Sequence, residues 1–257
     1  MSAAKKGRVD PDATRAQLEQ LGLGYASESL SSLLQVAVKD ELPAHGFLDR
    51  LLEAEIGQRE ERRVKTSLGL SGLPTGQTLA DFDWNSQPGI QKSQVETLAT
   101  CEWIREHATM LIQGPPGVSK THLAVGLGAK AVENGFSVLF VRLDDLLHQL
   151  KRDADVPPQR LRRKKYMNVA LLIVDEVGFQ PMDRHEASLF FRMVRHRYGR
   201  GSMLITTNKA VKDWAEILAG EEVMTAALLD RLPHRCHVMN IKGRSYRLRD
   251  LERLLKQ

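Results

Sequence analysis

Gly114-Pro115-Pro116-Gly117-Val118-Ser119-Lys120-Thr121 stands between an apolar run at 110–113 and a helical pattern that opens at Lys120. That order, strand, tight loop, lysine and hydroxyl, then helix, is the context a phosphate-binding loop requires. Small residues let the loop wrap an anion closely, and the first amides of the helix point their N–H groups at it. Lys120 is the expected contact to the β- and γ-phosphates of ATP, and Thr121 the expected hydroxyl ligand to Mg2+. His122, next in line, is counted with this nucleotide-contacting segment, although its ring has no evident partner and it reads as structural. One position departs from the pattern, which places glycine where this chain has Ser119. A side chain there is expected to crowd the phosphate or to impose a costly backbone angle, weakening binding or slowing hydrolysis without abolishing the cradle.

Working outward, the run Val169-Ala170-Leu171-Leu172-Ile173-Val174 ends in Asp175-Glu176. An unbroken apolar run predicts a central strand buried on both faces, with its C-terminal tip at the ligand crevice. Asp175 is expected to hold Mg2+ through water, and Glu176 to orient and deprotonate the attacking water. Leu204-Ile205-Thr206-Thr207-Asn208 ends a further strand, which brings the Asn208 amide to the same edge, either to touch the γ-phosphate or water or to cap the next helix.

Around these motifs strand and helix alternate: strands at 110–113, 137–141, 169–174 and 203–206, helices from Lys120, from Asp144 and over 183–198. Such alternation predicts an α/β fold, a parallel sheet covered by helices on both faces. After Val211 come two helical stretches, a short strand at 237–241 and a last helix at 245–256. Ahead of the core, leucines at three- and four-residue steps from Thr14 to Thr66 predict three short helices, and the glycines and Pro74 of 68–76 predict a linker. The expected partition is a helical domain at 1–70, a linker at 71–85 and the ATPase core at 86–257. Phe82 and Trp84 are expected to pack in the core, with the adenine side as the other place for them.

The chain has 257 residues, 42% of them apolar, and a formal charge of +5. That supports a substantial core and argues against disorder. Its two cysteines show neither metal-ligand nor disulfide spacing, and no run reaches membrane-spanning length, so a reduced, cytoplasmic protein with no membrane partner is expected.

Positive charge gathers in three places. Arg160, Arg162, Arg163, Lys164 and Lys165 precede the acidic strand, with Lys151 and Arg152 just upstream, and suit a phosphate backbone contacted without sequence choice. Arg192, Arg195, Arg197 and Arg200 form a second set, and Arg244, Arg249, Arg253 and Lys256 a third, expected to face other subunits or a protein partner. Aromatic residues make up 5% of the chain and do not interleave with these tracts, which favours double-stranded DNA over a single-strand stacking platform.

Segments 114–121, 171–176, 206–208, 228–232 and 243–248, with Thr78-Leu79-Ala80-Asp81-Phe82-Asp83-Trp84 and Arg235-Cys236-His237-Val238, resemble the IstB family over nearly the whole chain. These are AAA+ ATPases that help insertion-sequence transposases and are related to the helicase loader DnaC and to DnaA. The resemblance implies that Arg231, in Leu229-Asp230-Arg231-Leu232, is an arginine finger reaching a neighbouring subunit's nucleotide. It implies that Arg247, in Ser245-Tyr246-Arg247-Leu248, is a second nucleotide-sensing arginine. It also implies an ATP-assembled homo-oligomer, ring or helical filament, on double-stranded DNA that presents a target to a transposase. A helicase loader acting on single-stranded DNA, and a nucleotide-gated clamp with little turnover, share the same core and stand as alternatives. A small-molecule kinase fits less well, because the Asp175-Glu176 pair favours water as acceptor.

Overall fold

The computed structural model describes residues 11–87, 89–231, 236–243 and 245. The chain divides into two compact units, 1–66 and 67–257.

The first unit is helical: α1 (Pro11–Gln20), α2 (Gly24–Lys39) and most of α3 (Ala44–Ser71), which crosses the division. Ala26, Leu30 and Leu51 form its small core, with Leu18, Leu33, Leu34 and Phe47 packed around them. A polar lock supplements so few apolar residues. Buried Glu55 accepts the Ala26 amide at 2.8 Å and the Arg59 Nε–H at 2.7 Å, and Arg59 donates onward to the Gly22 carbonyl. The Ala26 amide is a first-turn donor of α2 with no partner inside its own helix, so the carboxylate caps that helix from a distance. The bond holds the Glu55 carboxyl below its ordinary pKa.

The third helix is 28 residues long, not short, and it absorbs 68–71, which the sequence assigns to a linker. Isolated Gly57 and Gly69 each weaken a helix by only about 1 kcal/mol and do not stop it. The stop comes at Gly72, whose φ of +73° is left-handed, with Pro74 beyond it.

The second unit begins its regular structure with α4 (Lys92–Ala99) and α5 (Glu102–Arg105). Then β1 (Thr109–Gln113), α6 (Lys120–Glu133), β2 (Val138–Arg142) and α7 (Leu143–Arg152) follow. Two single-turn helices, α8 (Pro158–Leu161) and α9 (Lys165–Asn168), lead into β3 (Leu171–Val177). The chain continues through α10 (Arg184–Arg197), β4 (Ser202–Thr207), α11 (Trp214–Ile217), α12 (Glu222–Arg231) and β5 (Cys236–Asn240). The strands form one parallel sheet in the order β2-β3-β4-β1-β5. The α/β expectation therefore holds, with strand ends within two or three residues of their sequence assignments. The helix expected at 245–256 lies outside the described residues.

Strand alternation distributes the layers. Leu172 and Val174 enter the cluster formed by Leu146, Leu147 and Leu150 of α7 and Phe190 and Met193 of α10, while Ile173 faces the other way and meets α6 at Gly128. A Cβ on Gly126 would overlap Leu79, and one on Gly128 would overlap Ile173 and Leu73. The stretch from Leu73 to Phe82, within the expected linker, is thus seated on α6, with Phe82 buried and its ring 4.7 Å from that of Trp84. Helix α10 starts from a capping box in which Asp183 accepts the Glu186 amide at 2.7 Å and Glu186 accepts the Asp183 amide at 2.8 Å.

At the other end of α10 one sequence reading is corrected. Arg197 does not belong to a basic surface: it is buried and donates to the carbonyls of Tyr166, Val169 and Ser202 at 3.1, 2.9 and 2.7 Å. Those carbonyls sit where the chain enters β3 and β4, and the planar guanidinium fork matches them as an aliphatic side chain would not. Burial lowers its pKa to about 10, which leaves it charged at neutral pH.

Candidate functional site

Because all strands run the same way, Gln113, Arg142, Asp175, Glu176 and Thr207 reach one edge of the sheet together. A cavity of about 550 Å3 opens there, lined in part by Gly117, Ser119, Lys120, Thr121, Asp175 and Glu176. A smaller one of about 130 Å3 adjoins it, sharing Gly117, Lys120, Thr121 and Glu176 and adding Pro116, Phe179, Thr206 and Asn208. The motifs separated in sequence thus meet in one place.

The loop is wound tightly. A Cβ on Gly114 would collide with the Ile241 carbonyl, and one on Gly117, at φ +82°, with the Ser245 hydroxyl. Ser119 stands at φ +64°, ψ +25°, the left-handed conformation that glycine adopts without a Cβ penalty, and it precedes the first residue of α6. Its side chain makes no capping bond to the helix. Lys120 Nζ folds back onto the carbonyls of Gly114 and Pro115, 2.8 Å from each. His122 Nε2–H donates to the Thr78 carbonyl at 2.8 Å and its ring meets Phe82 edge-on, so the histidine is a strut that also lines the larger cavity.

Asp175 is 3% exposed and its hydrogen bonds come from hydroxyls: Thr121 Oγ1 lies 3.1 Å from both carboxylate oxygens, and Thr206 Oγ1 also donates. Burial raises its pKa. A bulge shifts the register of β3 on β4 between Val174 and Val177 and puts Glu176 at φ +62°. Its amide donates to Thr206 Oγ1 at 3.0 Å, and its carboxylate swings to Arg142 at the tip of β2, 2.8 Å away. Arg142 was not singled out in the sequence. Nothing local marks it, since its partner sits on another strand. Asn208 is exposed in the wall of the smaller cavity, and the N-cap of the next helical turn is Ala210, so the capping alternative does not apply.

The site suits a nucleoside triphosphate. Gln77 Oε1, in the wall of the larger cavity, is buried with no described hydrogen-bond partner, an acceptor awaiting a donor such as a base amine or sugar hydroxyl. Among the described residues no group of three or more His, Cys, Asp or Glu could enclose a metal. The side chain of Arg231 and all of Arg247 lie outside the described residues. Of the basic run, Lys164 is engaged with Asp153 at 2.8 Å and Lys165 with the Leu70 carbonyl, while Arg160, Arg162 and Arg163 are exposed.

Sheet order, phosphate loop and paired carboxylates define an AAA+ P-loop ATP-binding protein. A family model described as IstB-like ATP binding protein matches residues 16–253, and the chain belongs to that family. A Pseudomonas aeruginosa protein named for insertion sequence IS21 and for ATP binding is 40% identical over 233 residues, 91% of this chain and 88% of that one. A Geobacillus stearothermophilus counterpart named for IS5376 is 34% identical, covering 90% and 92%. Among solved structures, DnaI superposes with a TM-score of 0.54 at 19% identity, covering 69% of this chain and 94% of its own. The initiator DnaA bound to AMPPCP and single-stranded DNA does so at 0.53 and 18% identity, covering 72% and 56%. These likenesses support the fold. No described helix is long and apolar enough to cross a membrane.

Proposed function

We propose that this chain is an ATP hydrolase that ATP assembles into a homo-oligomer on double-stranded DNA, where it serves a transposase in the cytoplasm. The observation that carries the reading is the meeting of Lys120, Thr121, Asp175 and Glu176 at one cavity in a chain of the IstB-like family. Lys120 leaves its two loop carbonyls for the β- and γ-phosphates. Thr121 and Asp175 hold Mg2+, which supplies charge neutralisation on the phosphates when bound. Glu176 takes the proton of the attacking water, and Asn208 orients it from the adjoining wall. Arg231 of a neighbouring copy and Arg247 complete the pocket, so the nucleotide fastens subunits together. Arg160, Arg162 and Arg163 meet DNA phosphates, and the helical unit contacts the transposase or another copy.

Sedimentation of the full chain with duplex DNA, under ATP, ADP or no nucleotide, tests assembly. Large ATP-dependent complexes are expected, and a particle size indifferent to nucleotide and DNA would overturn the reading. A second reading, the nucleotide-gated clamp, draws on the left-handed Ser119. Phosphate release that stays at background while ATP-dependent complexes form would favour it.

A further inference from the structure

At the sheet edge opposite the nucleotide cavity, two distant segments bring cationic side chains together. Helix α9 runs directly into the start of β3, and the end of α10 leads into the start of β4, so both lie at the N-terminal edge of the sheet. Buried Arg197 ties them through the carbonyls of Tyr166, Val169 and Ser202. Arg192, His196 and Arg200 recur at four-residue steps, and the charge of Arg162 on the neighbouring segment is felt at His196.

The acids on these elements are already occupied, Asp153 beside the α8–α9 segment and Asp183 and Glu186 at the far, N-terminal end of α10. Lys151 holds Glu186 and Asp183 at 2.7 and 3.6 Å, and Lys164 holds Asp153. Exposed Arg160, Arg162, Arg163, Arg192, Arg195 and Arg200 form no ion pair with any described carboxylate. The negative end of the α10 dipole favours cations in its last turn, but Arg162 and Arg200 lie outside the helix. Like charges so close repel, which a polyanion relieves. An exposed surface carrying this much charge, with Tyr198 as the exposed ring of the α10 end, lacks the apolar centre of a protein interface.

We propose that the α8–α9 segment and the end of α10 form one continuous seat for the phosphodiester backbone of duplex DNA, and that His196 takes up a proton as phosphates arrive. This rests on the DNA-binding reading above and reassigns the α10 arginines from subunit contacts to DNA. The proton follows from geometry. Arg200 Nη1 lies 3.1 Å from His196 Nδ1, and a guanidinium only donates, so Nδ1 accepts and the free ring is neutral. The groups facing it are Arg200, Arg162 and Arg197, all cationic; with burial they lower its pKa. Phosphates between those arginines reverse the field. Binding is therefore constant at high pH, strengthens as pH falls through the pKa of the complex, and levels off below that of the free ring.

The test is anisotropy of a labelled duplex with the full chain, ATP and Mg2+, across salt and pH. The combined Arg192→Gln, Arg195→Gln and Arg200→Gln variant should lose affinity on the order of tenfold and flatten the dependence of log K on log salt by about 2 to 3. The paired surface change Arg105→Gln should alter neither. Full affinity and slope in the α10 variant, with weakening in the combined Arg160→Gln, Arg162→Gln and Arg163→Gln variant, would overturn the inference and leave DNA binding intact. Wild type that ignores duplex DNA with every nucleotide would instead remove the underlying reading. Polyglutamate displacing the duplex at equal charge would give the surface to an acidic protein and overturn the proposal. Wild-type affinity should rise from about pH 8 to about pH 6, around the ordinary histidine pKa, and His196→Gln should bind equally across that range. An unchanged pH dependence in His196→Gln would eliminate the proton step.

Discussion

Arg142 Nη2 lies 2.8 Å from Glu176 Oε2, so the carboxylate proposed to activate water is tethered to the tip of the neighbouring strand. Both side chains are largely exposed, and such a pair is worth about 0.2–1 kcal/mol. Releasing it can therefore shift the carboxylate population by about fivefold at most. Arg142→Ala is expected to raise DNA-free phosphate release by up to that factor with little change in ATP affinity. A drop in turnover would mean that the pair positions Glu176 productively instead.

Glu176→Gln keeps the shape of the site and removes the base. ATP binding should persist while phosphate release falls by about 10²–10⁴-fold, the usual contribution of a general base. Equal release in mutant and wild type would take the glutamate out of the chemistry.

Ser119→Gly removes a Cβ from a left-handed backbone position, a strain of about 1–2 kcal/mol. The variant should melt a few degrees higher and bind a fluorescent ATP analogue several-fold more tightly. A lower melting temperature would show that the serine side chain contributes something its geometry does not reveal.

Arg197→Met keeps much of the volume but leaves three carbonyls without their donor. Leaving a buried acceptor without its donor costs about 1–3 kcal/mol, and at about 2–4 °C per kcal/mol the melting temperature should fall by several degrees. A surface arginine, as the sequence suggested, would give no shift.

In the helical unit, Glu55 has its carboxyl pKa depressed by the Ala26 amide first and by Arg59 after it. A lowered folded pKa stabilises the fold at pH above the unfolded value, and that contribution is lost as pH falls through the folded one. Acid should therefore melt this unit early, and Glu55→Gln should remove about 1.5–3 kcal/mol at neutral pH while flattening the acid dependence. Hydrogen exchange at the start of α2 reports it directly.

What the sequence made legible was local. The apolar run of β3 ending in Asp175 and Glu176, and the loop before Lys120, carry their meaning in consecutive residues. Even the serine-for-glycine departure at Ser119 could be converted into a backbone angle. Relations between distant segments were not legible. Arg142 looked like any strand-end arginine because its partner is 34 positions away in the pair Arg142–Glu176. Arg197 looked solvated because three carbonyls from other segments bury it. The end of α3 was misplaced because one glycine reads as a break, whereas the left-handed turn at Gly72 makes it.

The notches at Gly126 and Gly128 accept Leu79 and Leu73, so the incoming chain is bolted to the very helix that opens at the phosphate-binding loop. Two absent methyl groups thus set the tolerance of that joint. Alanine at either position would lift the strap and take with it Thr78, the anchor of His122, so a change two turns down the helix would be felt at its mouth.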